Sequence, residues 1–521
     1  MARCSAGQPR CYLLERNANV SVSRNTIYNM AGRALPLAMS FVTVPVYLRL
    51  IGPERYGVLA IAWLLLGYFG LFDLGLGRAT SFRIAALRGA DGQARSDTFW
   101  AALAVNIGMG LIGGLILWLA ADQFFGHLFK INASVRPEVI AAVPLLALSV
   151  PVATVAGVLS GALQGEERLL EINVISTAST ALFQLLPLSV AWLAGPNILY
   201  LLTAALSARL VSVLVLALRC YATIVRGYRR RLAISEIPVL LKFGGWVSLV
   251  SIFGPMLQIV DRFVIGAILG AVAVTIYTVP FQLASRMGLL SSSLTDALFP
   301  RMSASPPAEV SRLAFQSART MIAIMTLPIF GAIFLMEPFL RVWVGSVIAV
   351  QSAPIGRIVL LGFWFNAFAL ISFVRLQASG RPDIVSKFVI AQVPPYLVAL
   401  YFGLKYLGFE GCALAFTIRC VSDYVWLTFL AARKLPYFSL TASALIALVA
   451  AIYLAGRFPL ITDWRWWASA SVIGAALALI SAVALPAAAA QQLWRPTSGL
   501  VSRYMVGRLS DRSTPGSEVD Q

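Results

Sequence analysis

The chain has 521 residues, of which 59% are hydrophobic and 12% are charged, and its mean hydropathy is +0.82. These values exclude a water-soluble globular protein and predict an all-α integral membrane protein. The formal charge of +19 does not indicate nucleic-acid binding, because the basic residues collect on alternate loops between apolar segments. Such an excess of lysine and arginine on one side is typical of membrane proteins, whose basic loops face the cytoplasm.

Apolar segments follow one another along nearly the whole chain, and each is long enough to cross the hydrocarbon core of a bilayer as a helix. We predict about fourteen such spans, with approximate limits. The predicted spans are 24–50, 56–77, 97–120, 139–164, 172–194, 197–218, 238–268, 271–298, 313–336, 353–376, 384–405, 410–432, 439–456 and 466–488. Such spacing leaves no long polar stretch for a separate soluble domain.

A basic segment, "RCYATIVRGYRRRLAISEIP" (219–238), is the longest polar interruption between spans, and it divides the first twelve spans into two sets of six. The first 22 residues lack an apolar segment and are predicted to be a cytosolic tail rather than a signal peptide. The predicted organisation is a cytosolic N-terminal tail (1–22), an N-lobe with spans 1–6 (23–218), a basic cytoplasmic linker (219–237), a C-lobe with spans 7–12 (238–432), spans 13 and 14 (433–488), and a cytosolic C-terminal tail (489–521).

Two pairs of similar short segments suggest that the two lobes arose by duplication. "LQGEER" (163–168) follows span 4, and "LQASGR" (376–381) follows span 10 at a constant offset. "RLIGPERYG" (49–57) and "AILGAVAVTIYT" (267–278) each place a glycine shortly before a tyrosine at a predicted turn. Parallel repeats of this kind form the two halves of many transporters around a central pathway.

No enzyme motif in the sequence lies in the structural context that its chemistry requires. The string "GMGLIG" (108–113) fits a dinucleotide-binding pattern, but it lies inside an apolar span with no preceding strand, so helix packing explains it better. The single histidine, His127, has no neighbouring cluster suited to metal binding, and the five cysteines form no CxxC pair. We therefore predict no catalytic residue, no metal site and no cofactor.

The informative residues are ionisable groups inside the spans, which are costly in lipid and usually face a bundle interior or a water-filled cavity. Arg33, Arg209 and Arg286 have no acidic residue three or four positions away, so no carboxylate on the same helix balances their charge. These cations would attract a large anion, and guanidinium groups match phosphate oxygens well. For Arg33, contact with phosphate is preferred to an interhelical ion pair or to snorkelling toward the interface.

The remaining embedded charges are less clearly assigned. Asp261 and Arg262 are adjacent in span 7 and point about 100° apart, so one can face the cavity while the other pairs elsewhere. Asp73 lies near one end of span 2, where Arg33 is a candidate partner. Arg419 and Asp423 share a helical face and are predicted to form a structural ion pair.

Two longer segments resemble a known family. Residues 45–85 carry a proline, an arginine, Leu-x-Gly and Tyr-Gly around a turn, then Asp-x-Gly-Leu. Residues 261–303 carry an aspartate, a Gly-to-Tyr turn and a closing Phe-Pro. This pattern is similar to that of Wzx-type oligosaccharide flippases, the polysaccharide-transport branch of the MOP (multidrug/oligosaccharidyl-lipid/polysaccharide) exporter superfamily. The resemblance covers the first twelve spans, whereas spans 13 and 14 are less distinctive.

The resemblance implies two six-helix lobes related by pseudo-symmetry, around a cavity formed largely by spans 1, 2, 7 and 8. It also implies ion-coupled export of a polyprenyl-diphosphate-linked oligosaccharide across the bacterial inner membrane for surface polysaccharides such as O-antigen or exopolysaccharide. Both termini would be cytoplasmic, and the partners would be the lipid-linked glycan, membrane lipids and other polysaccharide-assembly proteins. The candidate residues are Arg33, Arg209, Arg262 and Arg286 for the diphosphate, and Asp73 and Asp261 for coupling to H⁺ or Na⁺.

Three alternatives remain open. A multidrug cation exporter of the same superfamily would favour an acidic cavity rather than a basic one. A membrane-embedded glycan polymerase or ligase would need a catalytic region, for which the short extracytoplasmic loops leave little room. A scaffold subunit of an envelope-assembly complex would have no use for buried charges.

Overall fold

The computed structural model describes residues 38–66, 76–87, 92–231, 257–432, 438–458 and 461–485. Within these ranges the chain is almost entirely helical and contains no β-strand. In chain order the helices are α1 (38–66), α2 (Leu76–Ala86), α3 (Gly92–Gln123), α4 (Arg136–Gly165), α5 (Leu169–Ala194), α6 (Ile198–Cys220), α7 (257–268), α8 (Ala271–Ser285), α9 (Gly288–Ala304), α10 (Pro307–Val344), α11 (Ser346–Ala378), α12 (Pro382–Ala391), α13 (Val393–Ala432), α14 (Phe438–Arg457) and α15 (Trp464–Ala484). Short π-helical turns, Phe124–Leu128 and Tyr221–Val225, extend α3 and α6.

The prediction of an all-α integral membrane protein is confirmed. Eight stretches of the described chain are long and apolar enough to cross a membrane, and Ala271–Ser285 and Thr441–Arg457 are shorter apolar helices. Two helical runs contain a turn between predicted spans: α1 passes through Gly52 (φ 77°), and α13 is kinked at Gly408 (φ 59°). These turns fall where the sequence separates spans 1 and 2 and spans 11 and 12.

Predicted span 8 (271–298) is not one helix, because α8 ends at Ser285 and α9 begins at Gly288. The break is a short tightened turn: Arg286 N–H donates to Leu283 O at 3.2 Å, and Met287 N–H donates to Ala284 O at 3.0 Å. These are bonds to the third preceding residue, as in a 3₁₀ turn. Arg286 therefore sits at an interruption in the helix rather than on a regular helical face.

The "LQGEER" and "LQASGR" segments adopt the same local structure. Arg168 N–H donates to Leu163 O and Arg381 N–H donates to Leu376 O, each at 3.0 Å. Glu167 (φ 59°) and Gly380 (φ 72°), which lie 213 residues apart, both have left-handed backbone. Both segments end a helix with a Schellman-type cap, whose left-handed residue is usually glycine. Glu167 is the one described residue other than glycine with positive φ, which supports a common origin for the two segments.

Gly380→Ala should lower the free energy of unfolding by about 1 kcal/mol, because a Cβ disfavours the left-handed conformation. The matched control is Gly331→Ala inside α10, where an added Cβ meets nothing within 4 Å. That substitution should be neutral or stabilising, since alanine has the higher helix propensity. Unfolding of both purified variants in detergent measures the difference, and equal stability of Gly380→Ala and the unaltered protein would contradict the assignment.

Helices α2, α3, α4 and α6 share an apolar core. Ile84, Phe99, Leu159 and Leu216, one from each helix, are almost fully buried in one cluster. The glycine-rich string of α3 contributes through one residue: a Cβ on Gly110 would lie 2.6 Å from the Cα of Pro151 on α4. Helix packing therefore explains this glycine, as the sequence predicted.

By its contacts the chain divides into two compact units. The first comprises Met1–Gln282, Phe339–Ile355 and Ser386–Ala415, and the second comprises Leu283–Pro338, Gly356–Val385 and Phe416–Gln521. Inside the first unit, the α7–α8 turn is bonded to neighbouring turns: Thr275 Oγ1 donates to Pro53 O at 2.5 Å, and Ala271 N–H donates to Lys130 O at 3.2 Å. These bonds fix the helices that carry Asp261 and Tyr277. The six-span lobes remain a prediction.

Candidate functional site

The sequence-predicted site residues fall into separate environments in the structure. Arg33 and Asp73 lie outside the described residues, so their predicted roles stay predictions. Asp261, Arg262 and Arg209 belong to the first unit, whereas Arg286, Arg419 and Asp423 belong to the second.

Asp261 and Arg262 form a closed pair on α7. The Arg262 Nη1 atom lies 2.8 Å from Asp261 Oδ1, and the same guanidinium bonds to the carbonyl oxygen of Gln258 one turn earlier. Asp261 Oδ1 also accepts from the Arg262 backbone N–H at 2.9 Å, and Tyr277 Oη donates to Asp261 Oδ2 at 2.8 Å. Asp261 is fully buried and Arg262 is 3% exposed. In this structure the Arg262 charge is therefore balanced within its own helix.

Aromatic rings complete the surroundings of this pair. The Arg262 Cζ atom lies 3.7 Å from the centroid of the Phe281 ring and 5.5 Å from that of Tyr277. The two rings stack on each other with centroids 5.7 Å apart. A guanidinium packed against such rings gains cation–π attraction in a desolvated site. The sequence predicted that these two neighbouring charges would face different ways, but the flexible arginine side chain folds back onto the aspartate.

Arg209 lies at the midpoint of α6 and is half-buried. Its Cζ atom is 4.7 Å from the centroid of the Phe183 ring on α5. Among the residues that the structure describes, no carboxylate lies within ion-pair distance of its guanidinium, in contrast to Arg262. Arg209 lines a cavity of about 250 Å³ between α4, α5 and α6. Five serines also line this cavity: Ser149, Ser160, Ser176, Ser179 and Ser212.

Arg286 is half-buried at the break between α8 and α9. Helix breaks at membrane depth place backbone polar groups where they can line a cavity or contact a ligand. The sequence predicted span 8 as one continuous helix. It therefore indicated Arg286 as a candidate but did not predict that this residue lies at a helix break. Gly288, which starts α9 directly after the break, has a low helix propensity.

Arg419 and Asp423 lie on one face of α13, with Arg419 Nη1 3.8 Å from Asp423 Oδ2. Their side chains are 7% and 10% exposed, respectively, so the two charges are close in a poorly solvated place. The separation is at the upper limit for an ion pair. This geometry is compatible with the structural role predicted for the pair.

A third buried ion pair was missed by the sequence reasoning. Arg357 Nη2 on α11 lies 3.1 Å from Glu337 Oε2 on α10, and both side chains are less than 10% exposed. The available signal was a single ionisable residue in each apolar run, "LMEPF" and "PIGRIV". Glu337 stands one position beyond the predicted limit of span 9, which is why it was overlooked. Because both charges are buried and bonded to each other, each balances the other inside the second unit.

The fold defines a class of protein: a multi-pass, all-helical membrane protein with the fold of MOP-superfamily transporters. The Lipid II flippase MurJ in an inward closed conformation has a TM-score of 0.63 at 15% identity, over 88% of this chain and 97% of that protein. An inward-facing multidrug resistance MATE family transporter of the MOP superfamily has a TM-score of 0.62 at 16% identity, over 78% and 98% of the two chains.

The family follows from the sequence match. Residues 22–305 match the family model described as polysaccharide biosynthesis protein, and this chain belongs to that family. The chain is also 28% identical over 425 residues to a putative O-antigen transporter from Shigella flexneri, a match that covers 80% of this chain and 98% of the relative. The resemblance to the polysaccharide-transport branch of the MOP superfamily is therefore confirmed.

Proposed function

We propose that this protein is a flippase that moves a polyprenyl-diphosphate-linked oligosaccharide across the bacterial inner membrane for the synthesis of a surface polysaccharide. The observation that carries the proposal is the half-buried Arg209 guanidinium in the middle of a membrane helix, beside a polar cavity and without a carboxylate neighbour among the described residues. A cation kept in such a place favours an anionic substrate. Membership of the family and the relative named for O-antigen transport agree with a glycan-containing substrate.

The transport cycle needs no covalent chemistry. Arg33, Arg209 and Arg286 attract the anionic substrate on one side of the membrane, and guanidinium forks match the geometry of phosphate oxygens. Alternating exposure to the two sides then carries the polar head across while the lipid tail stays in the bilayer. Arg262 joins this set only when it separates from Asp261, to which it is bonded here.

Coupling to H⁺ or Na⁺ is part of the proposal, with Asp73 and Asp261 as the candidate carboxylates. Asp261 is fully buried, and its carboxylate accepts from three donors of Arg262 and Tyr277. A proton or sodium ion that binds Asp261 competes with the Arg262 guanidinium. Binding of the coupling ion would therefore free a cation for the substrate. In this topology both termini are cytoplasmic, as the distribution of basic loops favours.

Arg286→Ala and Arg33→Ala should each lower the rate of flipping, because each removes a cation that the substrate contacts. A charged hydrogen bond is worth about 1.5–3 kcal/mol, so we expect a reduction of about 10- to 100-fold. The assay measures leaflet exposure of a lipid-linked oligosaccharide in vesicles that contain the purified protein. Arg312→Ala is the matched control, since Arg312 is 66% exposed and pairs only with Glu309 among the described residues.

The same vesicles separate the proposal from its alternatives. Unaltered lipid-linked glycan with a changed leaflet distribution supports a flippase, whereas chemical conversion of the glycan would indicate a polymerase or ligase. Transport of organic cations in place of the glycan would indicate a multidrug exporter. Normal flipping by both arginine variants at normal abundance would remove Arg33 and Arg286 from the mechanism.

A further inference from the structure

The cavity beside Arg209 contains three serine hydroxyls that make no hydrogen bond among the described residues. Serines outside the cavity commonly donate to the carbonyl oxygen of the fourth preceding residue, as Ser189 does to Leu185 O at 3.0 Å and Ser207 to Thr203 O at 2.8 Å. The hydroxyls of Ser160, Ser176 and Ser179 have no such partner among the described residues. Three hydroxyls that line one cavity are therefore available to a ligand.

The Arg209 guanidinium is also available, because it contacts the Phe183 ring and no carboxylate among the described residues. The Arg209 Cζ atom lies over the face of the Phe183 ring, 4.7 Å from the ring centroid. This cation–π contact does not use the guanidinium N–H donors, which project from the edge of the group and can form hydrogen bonds. A planar carboxylate fits such an edge through two parallel hydrogen bonds.

The size of the cavity and the charge of its lining limit the class of ligand further. The cavity of about 250 Å³ is smaller than the ~300–1,000 Å³ of sites for drug-sized ligands. Arg209 is the one charged side chain among the described residues that line it. A single guanidinium balances one negative charge, whereas a diphosphate would leave further negative charge without a cation in the cavity.

We infer that this cavity is a subsite for one acidic sugar residue, in which Arg209 binds the carboxylate and the three serines bind ring hydroxyls. The inference rests on the proposed function, because the sugar residue would be part of the glycan that the protein carries. It assigns Arg209 to the glycan rather than to the diphosphate. It also restricts the transported glycan to those that contain a uronic acid or a similar monoanionic residue.

Binding of small probes to the purified full-length protein in lipid nanodiscs tests this assignment. D-glucuronate should raise the melting temperature in a dose-dependent manner, because a ligand that binds only the folded state stabilises it. D-glucose tests the need for the carboxylate, pyrophosphate tests the diphosphate of the carrier as the ligand, and sodium chloride at equal ionic strength controls for salt.

Two variants locate the binding site. Arg209→Ala should weaken glucuronate binding about 10- to 100-fold, the loss expected for a charge-assisted hydrogen-bonded contact. The triple variant Ser160→Ala, Ser176→Ala, Ser179→Ala should weaken it about 10-fold or more, by removing three neutral hydrogen bonds. Alanine suits helix interiors, so the triple variant tests the site even where Arg209→Ala folds poorly.

The outcomes are distinct. Glucuronate binding that depends on Arg209 and the serines supports the subsite. Equal binding of glucose, Arg209-dependent binding of pyrophosphate without glucuronate binding, or no binding of any probe would overturn it. If the protein flips a lipid-linked oligosaccharide but does not bind glucuronate, the subsite fails and the proposed function stands. If glucuronate binds as described but no lipid-linked glycan changes leaflet, the proposed function fails and the acidic-sugar site is supported.

Discussion

Asp261→Ala is expected to lower the free energy of unfolding by about 3–5 kcal/mol, the cost of leaving a buried charge without its partner. The Arg262 guanidinium is 3% exposed and has Asp261 as its one carboxylate contact among the described residues. Tyr277 Oη would also lose its acceptor. Denaturant or thermal unfolding of the purified variant measures the loss.

Two controls distinguish the lost charge balance from a general effect of substitution. Glu309→Ala breaks the exposed pair with Arg312 and should change the free energy of unfolding by less than about 1 kcal/mol. The double variant Asp261→Leu, Arg262→Met removes both charges and should recover most of the stability, as apolar replacement of a buried pair often does. A single Asp261→Ala variant as stable as Glu309→Ala would contradict a charge-balancing role for Asp261.

The double variant also tests ion coupling. It lacks the carboxylate but keeps a packed, uncharged site, so a loss of response to H⁺ and Na⁺ gradients could not be attributed to unfolding. If Asp261 is the coupling group, flipping by this variant should no longer respond to the gradient of the coupling ion. A full gradient response would exclude Asp261 and leave Asp73 as the candidate.

Gly161→Ala should be the most damaging small substitution in the α2–α4 contact. An added Cβ would lie 2.1 Å from Gly77 O and 3.0 Å from Gly77 Cα. These are backbone atoms that no side-chain rotation can move, so the helices must separate. We expect a loss of about 3 kcal/mol or more, at the upper end for overpacking.

Gly108→Ala on α3 is the matched control, because an added Cβ there meets nothing within 4 Å. The same change of residue should then be neutral or slightly stabilising, in line with the helix propensity of alanine. Thermal unfolding and the yield of folded protein report both effects. Equal behaviour of the two variants would show that the close approach of α2 and α4 does not limit stability.

The sequence determined the class of protein and, apart from the break between α8 and α9, much of its helical structure, because these depend on patterns within one segment. Apolar runs of span length require helices in lipid, since every backbone group must be bonded within the segment. The matched "LQGEER" and "LQASGR" strings predicted a repeat, and the structure ends both helices with the same hydrogen bonds, including those from Arg168 and Arg381. The family resemblance likewise depends on local strings such as the Gly-to-Tyr turn.

The sequence could not decide which embedded charges are balanced, since that depends on side chains from different helices and on arginine rotamers. Arg262 folds back onto Asp261 although the two residues point apart on a helix, and Glu337 finds Arg357 on the next helix. The serines around Arg209 are scattered over α4, α5 and α6, so no spacing reveals them. Spans and turns are fixed by hydrophobicity and backbone bonding along the chain, whereas a polar cavity exists only after the helices have packed.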